Sequence, residues 1–338
     1  MKWIFLLLSL VITNFCENKK KLKNLDILTN KKVFIPGDTL KISLKKINKL
    51  EYDSILYYED SKKINSVHVI GKKLGDKKIT VKVFNKNNFR ENSINIRVLS
   101  PFTPELFTYK IINEYPHDIK SYTQGLEFYD NRLFESIGLR GKSELREIEF
   151  KSGEVIRSLT IDDAYFAEGL TLLNKKIYQL TWQSKIGFIY DLESFELIDS
   201  FQYKKSFEGW GLCNDGKLIY KSDGTSKIWI IKPDNLEEID FIQVTTNKSI
   251  ISKINEMEWI NGRIYANTYQ FNKDIVLIIN PETGSVEGVV DFNGLKKKVK
   301  NHPKIDVFNG IAYNKNSKTI FMTGKNWNKL FELQILKK

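Results

Sequence analysis

Five short segments of the chain lie over one another: Gln124-Gly-Leu-Glu-Phe, Glu168-Gly-Leu-Thr-Leu, Trp210-Gly-Leu-Cys-Asn, Asn255-Glu-Met-Glu-Trp and Asn309-Gly-Ile-Ala-Tyr. Their first residues are 44, 42, 45 and 54 apart. Each is followed by a turn and a second apolar run ("RLFESIG", "KIYQLTW", "KLIYKSD", "RIYANTY", "TIFMTGK"), then by a third strand pattern and usually a fourth. Four short strands recurring at this interval predict a β-propeller, since one such sheet cannot bury its faces alone and stacks against its neighbours. Five units predict five blades. The fifth unit reaches Lys338 after three strands, so the unassigned run "LFTYKIINEY" (residues 106–115) is expected to supply its outer strand and close the ring. Closure leaves only short, protected edges.

Ahead of the repeat, residues 28–99 carry β-type runs such as "KVFIPGDTLKISL", "DSILYYED", "KITVKVFN" and "SINIRVL", with a turn at Pro36-Gly37-Asp38. They predict a small immunoglobulin-like β-sandwich, followed by a Pro-containing linker at 100–105 and the propeller at 106–338. The fold class is all-β. The start "MKWIFLLLSLVITNFC" sets one basic residue before an apolar stretch too short to cross a bilayer, which takes about 20 residues. It reads as an export signal over residues 1–16, with Cys16 the expected lipidated first residue; ordinary cleavage or an uncleaved anchor is the alternative. The expected location is the periplasm or cell envelope, with a lipid anchor on the membrane. Cys213 is the only other cysteine, so no disulfide is expected if Cys16 is lipidated.

The formal charge is +12, and its placement argues against nucleic acid as a partner. Residues 17–100 hold 20 Lys/Arg against 9 Asp/Glu, whereas residues 101–338 hold 32 of each. The excess lies as scattered Lys pairs on the N-terminal strands, as on a solvated face, and attraction to an anionic envelope surface is the other reading. The repeat region, where a site would sit, is neutral.

Residues at one repeat position form a ring about a propeller's axis. The first position gives Gln124, Glu168, Trp210, Asn255 and Asn309, and the ends of the second strands give Gly138, Trp182, Asp223, Tyr269 and Lys325. The Gly, Leu and apolar positions keep the repeat while these differ from unit to unit. Carboxylates, a lysine, amides and aromatics gathered at one mouth suit a small polar ligand between aromatic walls. Structural polar residues and water in the channel are the other reading. His68, His117 and His302 show no metal-ligand spacing, so neither metal nor cofactor is expected; His117 in "YPHD" is expected to cap a turn or join strands.

The motifs "YTQGLEF", "FAEGLT", "IYQLTW", "EGWGL", "NEMEWINGRIYAN", "NGIAY" and "TGKNW" resemble, in this order and over about residues 108–336, the plant and bacterial type of glutaminyl-peptide cyclotransferase. The resemblance implies a five-bladed propeller enzyme that converts the N-terminal glutamine of peptides and proteins to pyroglutamate with release of ammonia. It implies Glu168 as general acid and base, and Gln124, Asn255 and Lys325 as the groups holding the substrate's amine, carboxamide and peptide carbonyl, in an order left open. Trp182, Trp210 and Tyr269 would wall the pocket, with Tyr122 beside Gln124. Tyr269 stands where the family more often has tryptophan, and Tyr122 where it often has phenylalanine. A non-catalytic propeller that binds peptide N-termini or sugars is the alternative function, and docking of the basic N-terminal part on an anionic surface a third.

Overall fold

Each leading segment of the repeat forms a strand: Thr123–Tyr129, Ala167–Leu173, Leu212–Asn214, Ile254–Ile260 and Phe308–Asn314. These come from a computed structural model that describes residues 25–86, 88–269 and 273–338, so the stretch expected to be an export signal, with Cys16, lies outside the described residues. Apart from two single-turn 3-10 helices, Ile47–Lys49 and Lys296–Lys298, the described regular structure is all β.

From each leading strand the chain steps outward by hairpins. The first sheet adds Arg132–Ile137, Glu144–Glu149 and Glu154–Thr160; the second adds Lys176–Thr181, Ile186–Asp191 and Leu197–Gln202; the third adds Ile219–Ser222, Lys227–Ile231 and Glu238–Gln243. All three are four-stranded, with neighbours antiparallel. The fourth set adds Arg263–Thr268, Ile275–Ile279 and Val286–Asp291, and the fifth adds Thr319–Gly324 and Lys329–Lys337. Glu105–Pro116 completes the fifth by pairing antiparallel with Lys329–Lys337, from Lys329↔Pro116 to Lys337↔Phe107. Its first residues also pair parallel with Val286–Asp291, which merges the last two sets into one eight-stranded sheet.

Burial falls from the leading strands outward. Ala167–Leu173 is buried at every position, whereas Leu197–Gln202, the fourth strand of the same sheet, is mostly exposed. The leading strands contact one another in a closed cycle, the fifth against the first. Apolar clusters fill the spaces between successive sheets: Phe134, Leu170 and Tyr190 between the first and second, Leu180, Tyr203 and Leu212 between the second and third, and Leu126, Phe128 and Phe321 between the fifth and first. Burying both faces of every sheet is the driving force for the cycle.

The glycine that recurs after the first repeat position follows from this crowding. A Cβ on Gly169 would come within 2.6 Å of the Gly211 Cα, and one on Gly211 within 2.2 Å of the Asn255 carbonyl oxygen. Leading strands meet there backbone to backbone, where only glycine fits. The fourth unit carries Glu256 instead, and its carboxylate accepts the Ile311 N–H of the fifth sheet at 2.9 Å.

The first and fifth sheets are locked by a buried polar cluster. His117 Nδ1 contacts the Trp327 carbonyl oxygen at 2.9 Å and Nε2 the Glu135 carboxylate at 3.1 Å, while Thr123 Oγ1 donates to Glu135 at 2.6 Å. His117 thus joins strands. Burial, the largest influence, opposes charge on both groups, yet their mutual attraction prevails: His117 is held above and Glu135 below its ordinary value.

The N-terminal strands form a three-stranded sheet (Ile27–Thr29, Thr39–Leu44, Val67–Val69) and a five-stranded one (Val33–Phe34, Asn88–Val98, Gly75–Asn85, Ser54–Glu59, Lys62–Ile64). The Pro36-Gly37-Asp38 turn passes the chain from one sheet to the other: Gly37 has φ +89°, and Asp38 Oδ2 accepts the Ile35 N–H at 2.7 Å. The chain divides into two compact units, and the border runs through these strands rather than at residues 100–105. Lys41–Val67 and Lys78–Ile94, with residues 25–30, form one; Lys31–Leu40, His68–Lys77 and Asn95–Lys338 form the other. Within the larger unit, Gln243 Oε1 accepts the Asp76 N–H at 2.8 Å and the Ser100 and Ser285 hydroxyls meet at 2.7 Å.

Candidate active site

In four of the five sheets the ladder between the first two strands slips at the same place: Thr123/Gly125, Ala167/Leu170, Ile254/Met257 and Phe308/Ile311. A bulge frees a residue from the ladder and re-aims its side chain. The residues in those slips include Gln124, Glu168 and Asn255. In the third sheet the ladder starts only at Leu212, so Trp210 precedes it.

The result is one pocket of about 200 Å³ lined by Tyr122, Gln124, Phe166, Glu168, Trp182, Trp210, Asn255, Tyr269 and Lys325. All eight residues expected from the sequence are brought together. Phe166 is the addition: its ring packs 5.6 Å from Trp182 and 6.3 Å from Tyr122, both edge-on. The sign of it in the sequence is Gly138, a ring position with no side chain, where a Cβ would stand 2.4 Å from the Phe166 ring. Gly138 lines nothing; it makes room.

Asp223 departs from the expected ring. Register sets Lys221 opposite Leu212, as Gln179 is set opposite Leu170, so Gly224 and not Asp223 is the equivalent of Trp182. Gly224 has φ +75°, and a Cβ there would lie 2.5 Å from the Trp210 indole. Asp223 turns aside and accepts from Trp229 Nε1 at 2.8 Å. Asn309 is also absent from the lining. It is a prop, accepting from Asn255 Nδ2 at 2.9 Å and donating to the Thr123 carbonyl oxygen at 2.9 Å.

Glu168 is buried, and Gln124 Nε2 donates to its Oε1 at 3.3 Å. Burial pushes its carboxyl well above the ordinary range; Lys325 pulls it down and Glu208 pushes it further up. Lys325 is equally buried, and desolvation lowers its ammonium despite Glu168 and Asp306. Its Nζ lies 4.7 Å from the Tyr122 ring centre and 5.4 Å from that of Tyr269, a contact favourable to a cation. Both shifts have one cause, a site too dry for isolated charges, which disfavours the charged form of each group. Tyr122 donates its hydroxyl to Asp306 at 2.7 Å, which fixes that wall. Trp210 and Tyr269 pack edge-on at 5.8 Å. Gln124 Oε1 is buried without a hydrogen-bond partner, an acceptor left for a ligand. No group of three or more His, Cys, Asp or Glu among the described residues is arranged to hold a metal ion.

A dry pocket with one carboxyl, one amine and two amides between aromatic walls can pass a proton between two nitrogens of a small bound group. Comparison with known proteins agrees with that chemistry. The family model described as glutamine cyclotransferase matches residues 78–335. A glutaminyl-peptide cyclotransferase of Arabidopsis thaliana is 37% identical over 229 residues, 67% of this chain and 71% of the relative. The crystal structure of Myxococcus xanthus glutaminyl cyclase superposes with a TM-score of 0.64 at 35% identity, over 70% of this chain and 99% of that one. The chain belongs to the glutamine cyclotransferase family.

Proposed function

We propose that this pocket cyclises N-terminal glutamine of peptides and proteins to pyroglutamate, with Glu168 carrying the proton. The observation that carries the reading is Glu168 itself, buried, raised by desolvation, held only by a side-chain amide and set among lining residues that include one amine, Lys325. The volume of about 200 Å³ is below the roughly 300–1,000 Å³ of ordinary small-molecule sites, which suits one curled side chain. Curling glutamine brings its α-amine onto its own carboxamide carbon, and the aromatic walls hold that conformer.

In the reaction the α-nitrogen bonds to the carboxamide carbon and the bond from that carbon to the amide nitrogen breaks. Glu168 takes one proton from the attacking amine and gives one to the departing nitrogen, which leaves as ammonia; the carboxyl ends as it began. A carboxyl raised by burial above its ordinary range holds a proton more readily between the two transfers. Lys325 donates to the oxygen that gains charge in the tetrahedral intermediate. Gln124 Oε1 and Asn255, the latter steadied by Asn309, accept from the substrate's N–H groups.

The five sets of strands with their cyclic contacts support a five-bladed propeller closed by Glu105–Pro116, and the two N-terminal sheets support an immunoglobulin-like sandwich ahead of it. The apolar stretch before Cys16 supports export and a lipid anchor at the cell envelope. The test of function is ammonia release from glutamine-initiated dipeptides by the pure protein, with asparagine-initiated dipeptides as control. Release from the first alone is expected; binding without release would return the protein to a non-catalytic role.

A further inference from the structure

Two walls of the pocket come from different sheets, yet their polar edges meet on one atom. Trp182 directly follows the second strand of the second sheet and Trp210 precedes the leading strand of the third. Trp182 Nε1 donates to Glu208 Oε2 at 2.6 Å, and Trp210 Nε1 donates to the same oxygen at 2.8 Å. A buried indole N–H needs an acceptor, and a carboxylate is a strong one. Glu208 does not line the pocket.

The segment that carries Glu208 is pinned from beneath. Glu238 Oε2 accepts the backbone N–H groups of Lys204 at 3.1 Å, Lys205 at 2.6 Å and Ser206 at 3.2 Å. Lys221, fully buried, donates to the Glu208 carbonyl oxygen at 2.9 Å and to Ser206 Oγ, lies 3.5 Å from Glu238 Oε1 and sits 4.2 Å over the Tyr203 ring. Gly209 N–H donates to the Trp182 carbonyl oxygen at 3.2 Å, and a Cβ on Gly209 would stand 2.8 Å from the Thr181 carbonyl oxygen. Six hydrogen bonds hold a six-residue stretch, more than a surface connection requires.

We propose that Glu208 is a positioning residue for substrate: held by Lys221 and Glu238, it clamps the indoles of Trp182 and Trp210 so that the pocket's walls are set before glutamine enters. The inference rests on the reading of those two tryptophans as substrate walls. The clamp acts on binding, because the indoles touch the substrate's methylenes and exchange no protons with it. The Glu208 charge also weighs against ionisation of Glu168, which couples the clamp to the proton carrier.

The test is steady-state cyclisation of a glutamine-initiated dipeptide by Glu208→Ala and Glu208→Gln, with tryptophan emission and near-ultraviolet dichroism of the free proteins. Losing the charge-assisted bonds in Glu208→Ala is expected to raise KM by roughly tenfold or more while kcat falls much less, and to shift the tryptophan signals. Glu208→Gln keeps an acceptor oxygen and is expected to recover much of KM. Its acidic pH limb is expected to move to lower pH, because a charge opposing Glu168 ionisation is gone. Unchanged KM and unchanged tryptophan spectra in Glu208→Ala would overturn the proposal. If Glu208→Ala does not fold, KM and spectra of Glu208→Gln decide: wild-type values in both, with an unmoved pH limb, would overturn it. Wild-type protein that bound the dipeptide without releasing ammonia would overturn the cyclase reading, while weaker binding by Glu208→Ala would still support the clamp.

Discussion

Glu168, near the start of its leading strand, and Glu127, Glu256 and Glu258, within theirs, are all buried and all raised by burial. Their company differs. Glu256 accepts the Ile311 N–H, Glu258 the Tyr313 N–H, each at 2.9 Å, and Glu127 accepts the Thr171 hydroxyl at 2.7 Å and the Leu172 N–H at 3.2 Å. Leading strands have no further strand to pair with on their inner edge, and these carboxyls satisfy backbone groups that would otherwise be orphaned. Among the described residues Glu168 accepts from the Gln124 amide alone, at 3.3 Å. The cavities follow suit: the far ends of the leading strands line one of about 820 Å³ with turn residues such as Asn131, Asn174, Asp215 and Asn261, against about 200 Å³ of aromatic wall around Glu168. Burial alone raises a carboxyl; a backbone partner ties it to the fold, and the want of one leaves it for chemistry.

The largest expected effect belongs to the structural class. His117→Ala strands Glu135 in the seam and is expected to cost about 3–5 kcal/mol in urea unfolding. Because His117 is raised, its contribution is full below the ordinary imidazole value and lost as pH climbs through the raised one; Glu135, depressed, contributes above the ordinary carboxylate value and fails as pH drops through the lowered one. The wild-type advantage should therefore peak between those limits.

Lys325→Met belongs to the other class and should lower kcat by roughly 10²–10³ with the fold intact, as loss of one oxyanion donor does. An equal loss of stability and no selective loss of kcat would move Lys325 to the structural side. Glu256→Ala should unpair the Ile311 N–H at a cost of about 1–3 kcal/mol while the folded fraction keeps its turnover. A fall in kcat beyond the folded fraction would break the division. The smallest effect concerns Glu127, pushed up to about 7 by burial. The folded protein holds that proton longer than the unfolded chain, so stability declines as pH rises from the ordinary carboxylate value to about 7. Glu127→Gln should remove that decline, raising Tm over wild type by roughly 2–4 °C at pH 8 and by less at pH 5.

Repeat positions with one job in every unit were readable from the sequence. The glycine of close approach, the apolar second strands and the strand borrowed from 106–115 all follow from packing that recurs. Eight of the nine lining residues were readable as well, because they are the places where the repeat is broken and the family motifs coincide. Asp223 was misplaced by one residue since apolar runs fix register only to within the turn, and Gly224 reveals itself only through the indole it admits. Phe166 and Glu208 were passed over for a different reason: each stands beside a ring position, and its role depends on a neighbour in another part of the chain. Glu256 and Glu258 look like Glu168 in composition, and only the N–H groups facing them tell them apart.

The central contrast is settled by comparing turnover of Glu168→Gln and Glu127→Gln on a glutamine-initiated dipeptide, each corrected for folded fraction and with binding followed by tryptophan emission. The account predicts that Glu168→Gln still binds but releases ammonia roughly 10²–10⁴ times more slowly, while Glu127→Gln stays near wild type. Turnover of Glu168→Gln within about threefold of wild type, or an equal loss in both variants, would contradict it.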